Sequence, residues 1–376
     1  MSKTDAPLQG LKVIEMARIL AGPWAGQTLA DLGAEVIKIE SPAGDDTRSW
    51  GPPWIETETG EKTAAYFHVT NRGKRSLAID FSDPDQRDKL LALIADADVL
   101  IENYKVGGLK KYGLDYDSLH ARFPRLIYCS VTGFGQTGPY AHRAGYDVMI
   151  QGMSGVMDIT GAADGPPQKM GVAFADIFTG LYATIAIQAA LAQREKTGKG
   201  QQIDMALLDC MVGVLGNQAM NAMVTGQTPK RMGNVHPNLV PYQDFPVSDG
   251  HIIIACGNDR QFTKLCEVLG LSRETQKRFD TNPKRVAGHA ELVEEISKAS
   301  MQHSQSTLLE RLEAAGIPAG PINSISEALS DPQIVHRGLV DLSGPAPKLL
   351  NPIKFSGSSF ENTAPAPDLD ELSSKR

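Results

Sequence analysis

Short apolar runs alternate with segments of helical spacing through the first half of the chain. "LKVIEMARILAG" reads as a strand over Lys12 to Glu15 that turns near Gly22 and Pro23 into a helix. "AEVIKIE", Ala34 to Glu40, is a second strand, and "RSLAID" is a third. "DPDQRDKLLALIADA" follows as a helix capped near Asp83, with Pro84 at an early helical position. "DVLIEN" and "RLIYCSVTGFG" are further strands, with the short helix "DYDSLHARF" between them. Strands rich in Val and Ile that alternate with helices imply parallel strands covered on both faces, a doubly wound α/β domain.

A long apolar helix runs to about Arg194, and "TGKGQQIDMALLD" reads as a turn, a strand and a helix start. Beyond about Asn221, "MVTGQTPKRMGNVHPNLVPYQDF" is rich in Gly, Pro and Asn and reads as a linker. "DGHIIIAC" is a strand, and "QFTKLCEVLG" and "HAELVEEISKASMQHSQSTLLERLEAAG" are amphipathic helices. The organisation expected is a large domain over 1–200, a linker helix over 201–224, a smaller α+β domain over 225–310, and a segment over 311–376 that returns to the large domain.

The 376 residues are enough for two domains without disulfide staples. A net charge of −7 argues against nucleic acid and anionic membranes as partners, so an anion site must be a local basic cluster. Cys129, Cys210, Cys256 and Cys266 form no CxxC pair, which points to reduced thiols and a cytoplasmic protein. The N-terminus lacks a signal-peptide layout, and no apolar run reaches the roughly 20 residues of a membrane span. The histidines show no HExxH or HxH spacing, so no metal is expected, and no G-x-S-x-G elbow is present.

Two basic stretches are candidate anion sites. "NRGKRS" carries Arg72, Lys74 and Arg75 in a loop before a strand, either as phosphate donors or as a solvated turn. "ENYKVGGLKKYG" places Asn103 and Tyr104 at a strand end, where ligands of parallel sheets bind, with Lys105, Lys110 and Lys111 after them. "GFGQTG", Gly133 to Gly138, matches G-x-G-x-x-G, but Pro139 follows at once and no long helix does. Turn glycines beside a substrate suit it better than a dinucleotide fingerprint.

Asp176 stands at the front of the apolar run "GVAFADIFTGLYATIAIQAALAQR". It is either an N-terminal-turn aspartate with a structural role or a buried carboxylate with a task. The helix dipole there favours the ionised form, which a nucleophilic carboxylate requires.

"ARILAGPWAGQTLADLGAEVIKIESPAGDDTRSWGPP", "NRGKRSLAID", "ADVLIENY", "GFGQTGPYAHRAGYD", "TGKGQQIDMALLD" and "GIPAGPI" together resemble class III coenzyme A transferases of the CaiB/BaiF type. Formyl-CoA, carnitine and succinyl-CoA:dicarboxylate CoA-transferases belong there, and the resemblance runs from about residue 9 to about 357. It implies an interlocked homodimer whose large Rossmann-like domain is built from both chain ends, with a smaller domain between. It implies CoA thioesters as substrates, with no permanently bound cofactor and with free carboxylic acids as acceptors. Asp176 matches the catalytic aspartate, which forms mixed anhydrides and an aspartyl-CoA thioester. Arg18, Ile19, Ala21, Asn71, Arg72, Lys74, Arg75, Ile79, Asn103, Tyr104, Lys111, Arg143 and Tyr146 match CoA-binding segments. His236, Gly257 and Asn258 match substrate-loop positions, although Asn258 and Asp259 replace a glycine run and Ser41 replaces an arginine. The α-methylacyl-CoA racemases share the fold but use a histidine base 30 residues before the aspartate. Tyr146 stands there instead, and a phenol with a pKa near 10 is a poor base at neutral pH.

Overall fold

The computed structural model describes residues 6–57, 60, 62–344 and 346–374. Six strands form one sheet: β1 (Lys12–Glu15), β2 (Glu35–Glu40), β3 (Arg75–Ala78), β4 (Val99–Glu102), β5 (Ile127–Thr132) and β6 (Gln202–Ala206). Their order is β3-β2-β1-β4-β5-β6, and every pairing is parallel. This is the doubly wound dinucleotide-fold order, which reverses direction between β1 and β4.

Alternation of side chains along each strand builds two cores, one per face. Val13, Val99, Ile101, Ile127 and Cys129 face one cluster, which contains α1 (Ala21–Asp31) and a long helix over Phe174–Thr197. Ile14, Leu100 and Tyr128 face the other, under α2 (Pro84–Ala95) and α3 (Tyr116–Arg122). Helix α2 starts as the sequence leads one to expect, with the Asp83 carboxylate accepting the Asp85 N–H and Pro84 in its first turn. A short helix α4 (Asp147–Met153) precedes the long one, which is α5. It ends at Gly198, whose φ of +69° is the left-handed cap and whose N–H reaches the Arg194 carbonyl.

Helix α5 corrects one expectation: its length and apolar composition do reach those of a membrane-crossing helix. Its stripe of Ala175, Ala183, Ile187 and Ala190 nevertheless lies in the sheet core, packed with α1. The two helices approach closely at Gly180, where a β-carbon would fall 2.7 Å from Trp24 Cβ and 2.8 Å from the Ala21 carbonyl oxygen.

The chain divides into two units, 1–157 with 169–227 and 332–376, and 158–168 with 228–331. The larger unit is thus built from both chain ends, but three expected boundaries shift. Residues 202–206 are not linker helix: they form β6, the last strand of the large sheet, before α6 (Leu207–Gly213) and α7 (Gly216–Thr225). The smaller unit begins near 228 and adds 158–168, tied in by Arg231 bonding the Asp158 carbonyl at 2.5 Å. It also runs past 310, because Ala319–Pro321 is its third strand. That strand, β9, joins β8 (Gly250–Ala255) and β7 (Tyr242–Val247) in the antiparallel order β9-β8-β7. "AGP" is too short and too rich in Gly and Pro to read as a strand. Helices α8 (Asp259–Leu269), α9 (His289–Ser300) and α10 (Gln305–Ala314) close this unit over Phe245, Ile252, Ile254, Phe262, Leu292 and Leu308.

Candidate active site

Where a doubly wound sheet reverses direction, the loops leaving its two central strands part and leave a crevice. Here the loop after β1 supplies Arg18 to Ala21, that after β4 supplies Asn103 to Val106, and the end of β5 contributes Val131 and Thr132, with Gly133 just beyond it. These segments, with Trp50, Arg143 to Asp147 and Asp176, line a cleft of about 790 Å³. Gly133 and Gly145 meet backbone to backbone in its wall, since a β-carbon on Gly133 would lie 2.5 Å from Gly145 Cα. A second cleft of about 260 Å³ shares Arg18 and Tyr104 as a common wall and is floored by Ile39, Ile79 and Phe81.

Asp176 lies in the first turn of α5, half-buried at the cleft wall. No α5 side chain caps that turn; instead Asp147 Oδ1 accepts the Ala175 N–H at 2.9 Å. Gln151 holds Asp147 in turn, donating to its Oδ2 at 2.7 Å while accepting the Met170 N–H at 2.9 Å. Helix α4 therefore fixes the approach to α5 and sets a second carboxylate beside Asp176. Burial, and then the Asp147 charge, push the Asp176 carboxyl up to about 7. The helix dipole favours the ionised form, and desolvation and the like charge oppose it.

The turn after β1 is held by side chains rather than by sheet bonds. Asn103 accepts the Arg18 N–H at 2.9 Å and donates to the Arg18 carbonyl at 2.7 Å. Ile19 has φ +72°, a left-handed conformation that a β-branched residue seldom adopts. Helix α1 then starts at the cleft with no side-chain cap.

The sequence-derived residues divide into those that reach a cleft and those that do not. Arg18, Ile19, Ala21, Asn103, Tyr104, Arg143 and Tyr146 line the larger cleft with Asp176, and Ile79 lines the smaller. Tyr146 is 66% exposed, and Arg143 rests over the rings of Tyr140 and Phe134.

The basic loop lies apart from both clefts. Lys74 is buried and bonds Glu15 at 2.6 Å, the Pro23 carbonyl and Asn71 Oδ1, so all three of its protons are used internally. Burial presses its ammonium down to about 8 despite Glu15 beside it. Arg72 is buried against Asp31, and Asn71 is buried with its amide on the Phe67 carbonyl. Arg75 pairs with Glu35 on the surface, and Lys111 lies over the Tyr112 ring. None of these five lines either cleft.

In the smaller unit, Asn258 caps α8 by accepting the Gln261 N–H, and the Gly257 N–H donates to the Gln261 side chain. His236 accepts the N–H groups of Asn238 and Leu239.

Trp50, Lys105, Val106 and Leu207 line the larger cleft, and of these only Lys105 stood out in the sequence. Trp50 follows a short turn over Asp46–Ser49, where no periodicity marks it. The acidic start of α4 at Asp147 was a readable signal for the second carboxylate.

Fold and cleft together define a doubly wound α/β protein with a carboxyl group on the wall of its central crevice. The CoA-transferase family III model matches residues 8–372, and the chain belongs to that family. It is 52% identical to a succinate–glutarate CoA-transferase of Agrobacterium fabrum, over 99% of this chain and 95% of that protein. A human succinyl-CoA:glutarate CoA-transferase is 44% identical, over 89% of this chain and 76% of that one. A crystal structure of a CaiB/BaiF family protein from Brucella suis superposes with a TM-score of 0.89 at 58% identity, covering 99% and 98% of the two chains. The protein is a CoA-transferase.

Proposed function

We propose that this enzyme moves CoA between succinate and glutarate, or a dicarboxylic acid of similar length, through covalent intermediates on Asp176. The observation that carries the reading is the Asp176 carboxyl on the wall of the crevice where a doubly wound sheet binds its ligand. The succinate–glutarate activity of relatives at 52% and 44% identity supports the choice of acids.

In the first step an Asp176 oxygen attacks the thioester carbonyl of succinyl-CoA. The C–S bond breaks, and CoA thiolate leaves a succinyl-aspartyl anhydride. The thiolate then attacks the aspartyl carbonyl, releasing succinate and forming an aspartyl-CoA thioester. Glutarate displaces CoA to give a second anhydride, whose glutaryl carbonyl takes the thiolate back. Glutaryl-CoA departs and Asp176 is restored. Every step exchanges one activated acyl bond for another, so thioester energy survives provided water stays out.

The nucleotide of CoA suits the smaller cleft, where Ile39, Ile79 and Phe81 offer an apolar floor. Its arm passes Arg18 and Tyr104, the shared wall, into the larger cleft. Lys105 and Arg143 supply positive charge there. An interlocked homodimer is the assembly we infer. Leu181, Tyr182 and Ile185 of α5 and Met220, Met223 and Val224 of α7 are exposed apolar residues that such a partner would cover. Four unpaired, buried cysteines support a reducing, cytoplasmic setting.

The test is incubation with succinyl-CoA alone, trapping and peptide mass spectrometry. A CoA adduct on the Asp176 peptide is expected, with none in Asp176→Ala, and transfer to glutarate should exceed transfer to formate or carnitine. A wild-type enzyme that turns over while its Asp176 peptide stays unmodified would refute the covalent route.

A further inference from the structure

Asp45 takes no part in the transfer steps, yet it is held by several partners. It sits in the loop after β2, buried, with Oδ2 on Lys38 Nζ at 2.9 Å. Lys38 also bonds Glu15 Oε1 at 3.1 Å and the Ala17 carbonyl at 2.9 Å. The other oxygen of Glu15 takes Lys74, and Gly26 makes room, since a β-carbon there would overlap the Glu15 carboxylate. These buried charges form one chain that locks the Asp45 side chain in place.

What Asp45 holds is backbone at the cleft. The Ile19 N–H is shared between its two oxygens at 3.4 and 3.3 Å. Asp45 Oδ1 also caps the short turn that leads to Trp50, accepting the Thr47 N–H at 3.0 Å and its hydroxyl at 2.8 Å. Ile19 lines the cleft, and its φ of +72° is disfavoured for a β-branched residue. Such a conformation persists only where its surroundings impose it.

We infer that Asp45, anchored by Lys38, is a positioning residue that keeps Ile19 left-handed and so sets the turn from which α1 starts beside Asp176. Left unheld, the turn would relax to an ordinary conformation favoured by about ten- to a hundredfold. Transition-state contacts made by this turn would fall by the same factor. A glycine at position 19 has no such preference to overcome and makes the restraint dispensable.

Asp45→Ser keeps a short oxygen to cap Thr47 but is too short for the Ile19 N–H. It is expected to lower kcat ten- to a hundredfold in the wild-type background. The same change should cost less than threefold in a chain already carrying Ile19→Gly. Asp45→Asn, which retains an acceptor for Ile19, should stay within threefold of wild type in kcat even where its melting temperature falls. A crystal structure of Asp45→Ser should show φ of Ile19 out of the left-handed region. Equal kcat losses in the two backgrounds, an Asp45→Asn as damaged as Asp45→Ser, or an unmoved Ile19 each overturns the inference. The inference rests on the transferase reading for its kinetic arm. An inactive wild type would sink that reading, whereas the conformation of Ile19 tests the present one alone.

Discussion

Replacing Asp176 by Asn should destroy transfer and stabilise the protein, and the gain should depend on pH in a defined direction. The Asp176 carboxyl is raised from 3.8 to about 7 in the fold, by burial first and then by Asp147. An unfolded chain ionises this group near its ordinary value. Between roughly pH 4 and 7 the folded state therefore holds more protons than the unfolded state, and stability falls as pH rises. Below that window both states are protonated and the penalty is absent; above it the penalty is complete. The full shift corresponds to about 4 kcal/mol. Asp176 is half-buried rather than sealed, so screening by water brings this to about 2 kcal/mol at pH 8. At pH 5 the penalty is less than half as large. Asn has nearly the same shape and no charge, so Asp176→Asn should melt a few degrees above wild type at pH 8, with a much smaller gain at pH 5. The assay is thermal unfolding of both proteins at one concentration across that range, because assembly makes melting concentration-dependent. A gain that is independent of pH would place the effect in packing rather than ionisation. No gain at pH 8, or a larger one at pH 5, would refute the argument.

Four further outcomes follow from named contacts. In the wild type, kcat/KM should rise on the acid side with a midpoint near pH 7, and Asp147→Asn should move that limb to lower pH by removing the like charge; a limb that stays put would exclude Asp147 as a cause. Lys74→Met should destabilise the fold by about 3 kcal/mol in urea unfolding, because Glu15 keeps only Lys38 in a buried site. Adding Glu15→Gln should recover part of that loss, and strictly additive losses would show that the pair is not coupled. Gly180→Ala drives a methyl into Trp24 and the Ala21 carbonyl, so it should cost about 1–3 kcal/mol and lower kcat, Asp176 lying one turn away on α5; unchanged melting would show that α1 and α5 give way freely. In deuterated water, acyl exchange should proceed without deuterium at Cα, whereas Cα labelling without exchange would mark the racemase chemistry.

Strand positions were legible because Val and Ile runs between turn residues carry their own signal. Lys12–Glu15, Val99–Glu102 and Ile127–Thr132 stand where the pattern put them. Asp176 was legible as a lone carboxylate before an apolar helix. The inward turn of Lys74 was not legible because type and spacing do not show which way a lysine points. Lys74 turns inward onto Glu15, a residue 59 positions earlier, while Arg75 next to it turns out to Glu35. Only the pairing of β3 with β2, and of β2 with β1, brings those partners together. Trp50 and Asp45 were invisible for the same reason: their roles depend on a loop folding back to the turn after β1.

Two carboxylates in one wall raise the question of which carries the proton. Asp147 accepts the Ala175 N–H and the Gln151 amide. Asp176 accepts no hydrogen bond among the described residues and is pushed toward its neutral form by burial and by Asp147. Its proton is thus held near neutrality, and the nucleophile is present in the free enzyme only in part. A resting carboxylate stabilised by strong hydrogen bonds would be fully ionised but less nucleophilic, because those bonds must be surrendered as the anhydride forms. A desolvated oxygen has little to give up at the moment of attack. The arrangement exchanges ionised population for reactivity per anion. Depressing the Asp176 pKa with an added hydrogen-bond donor should therefore extend activity to lower pH while lowering the plateau rate. A plateau that rises with the ionised fraction would contradict this account.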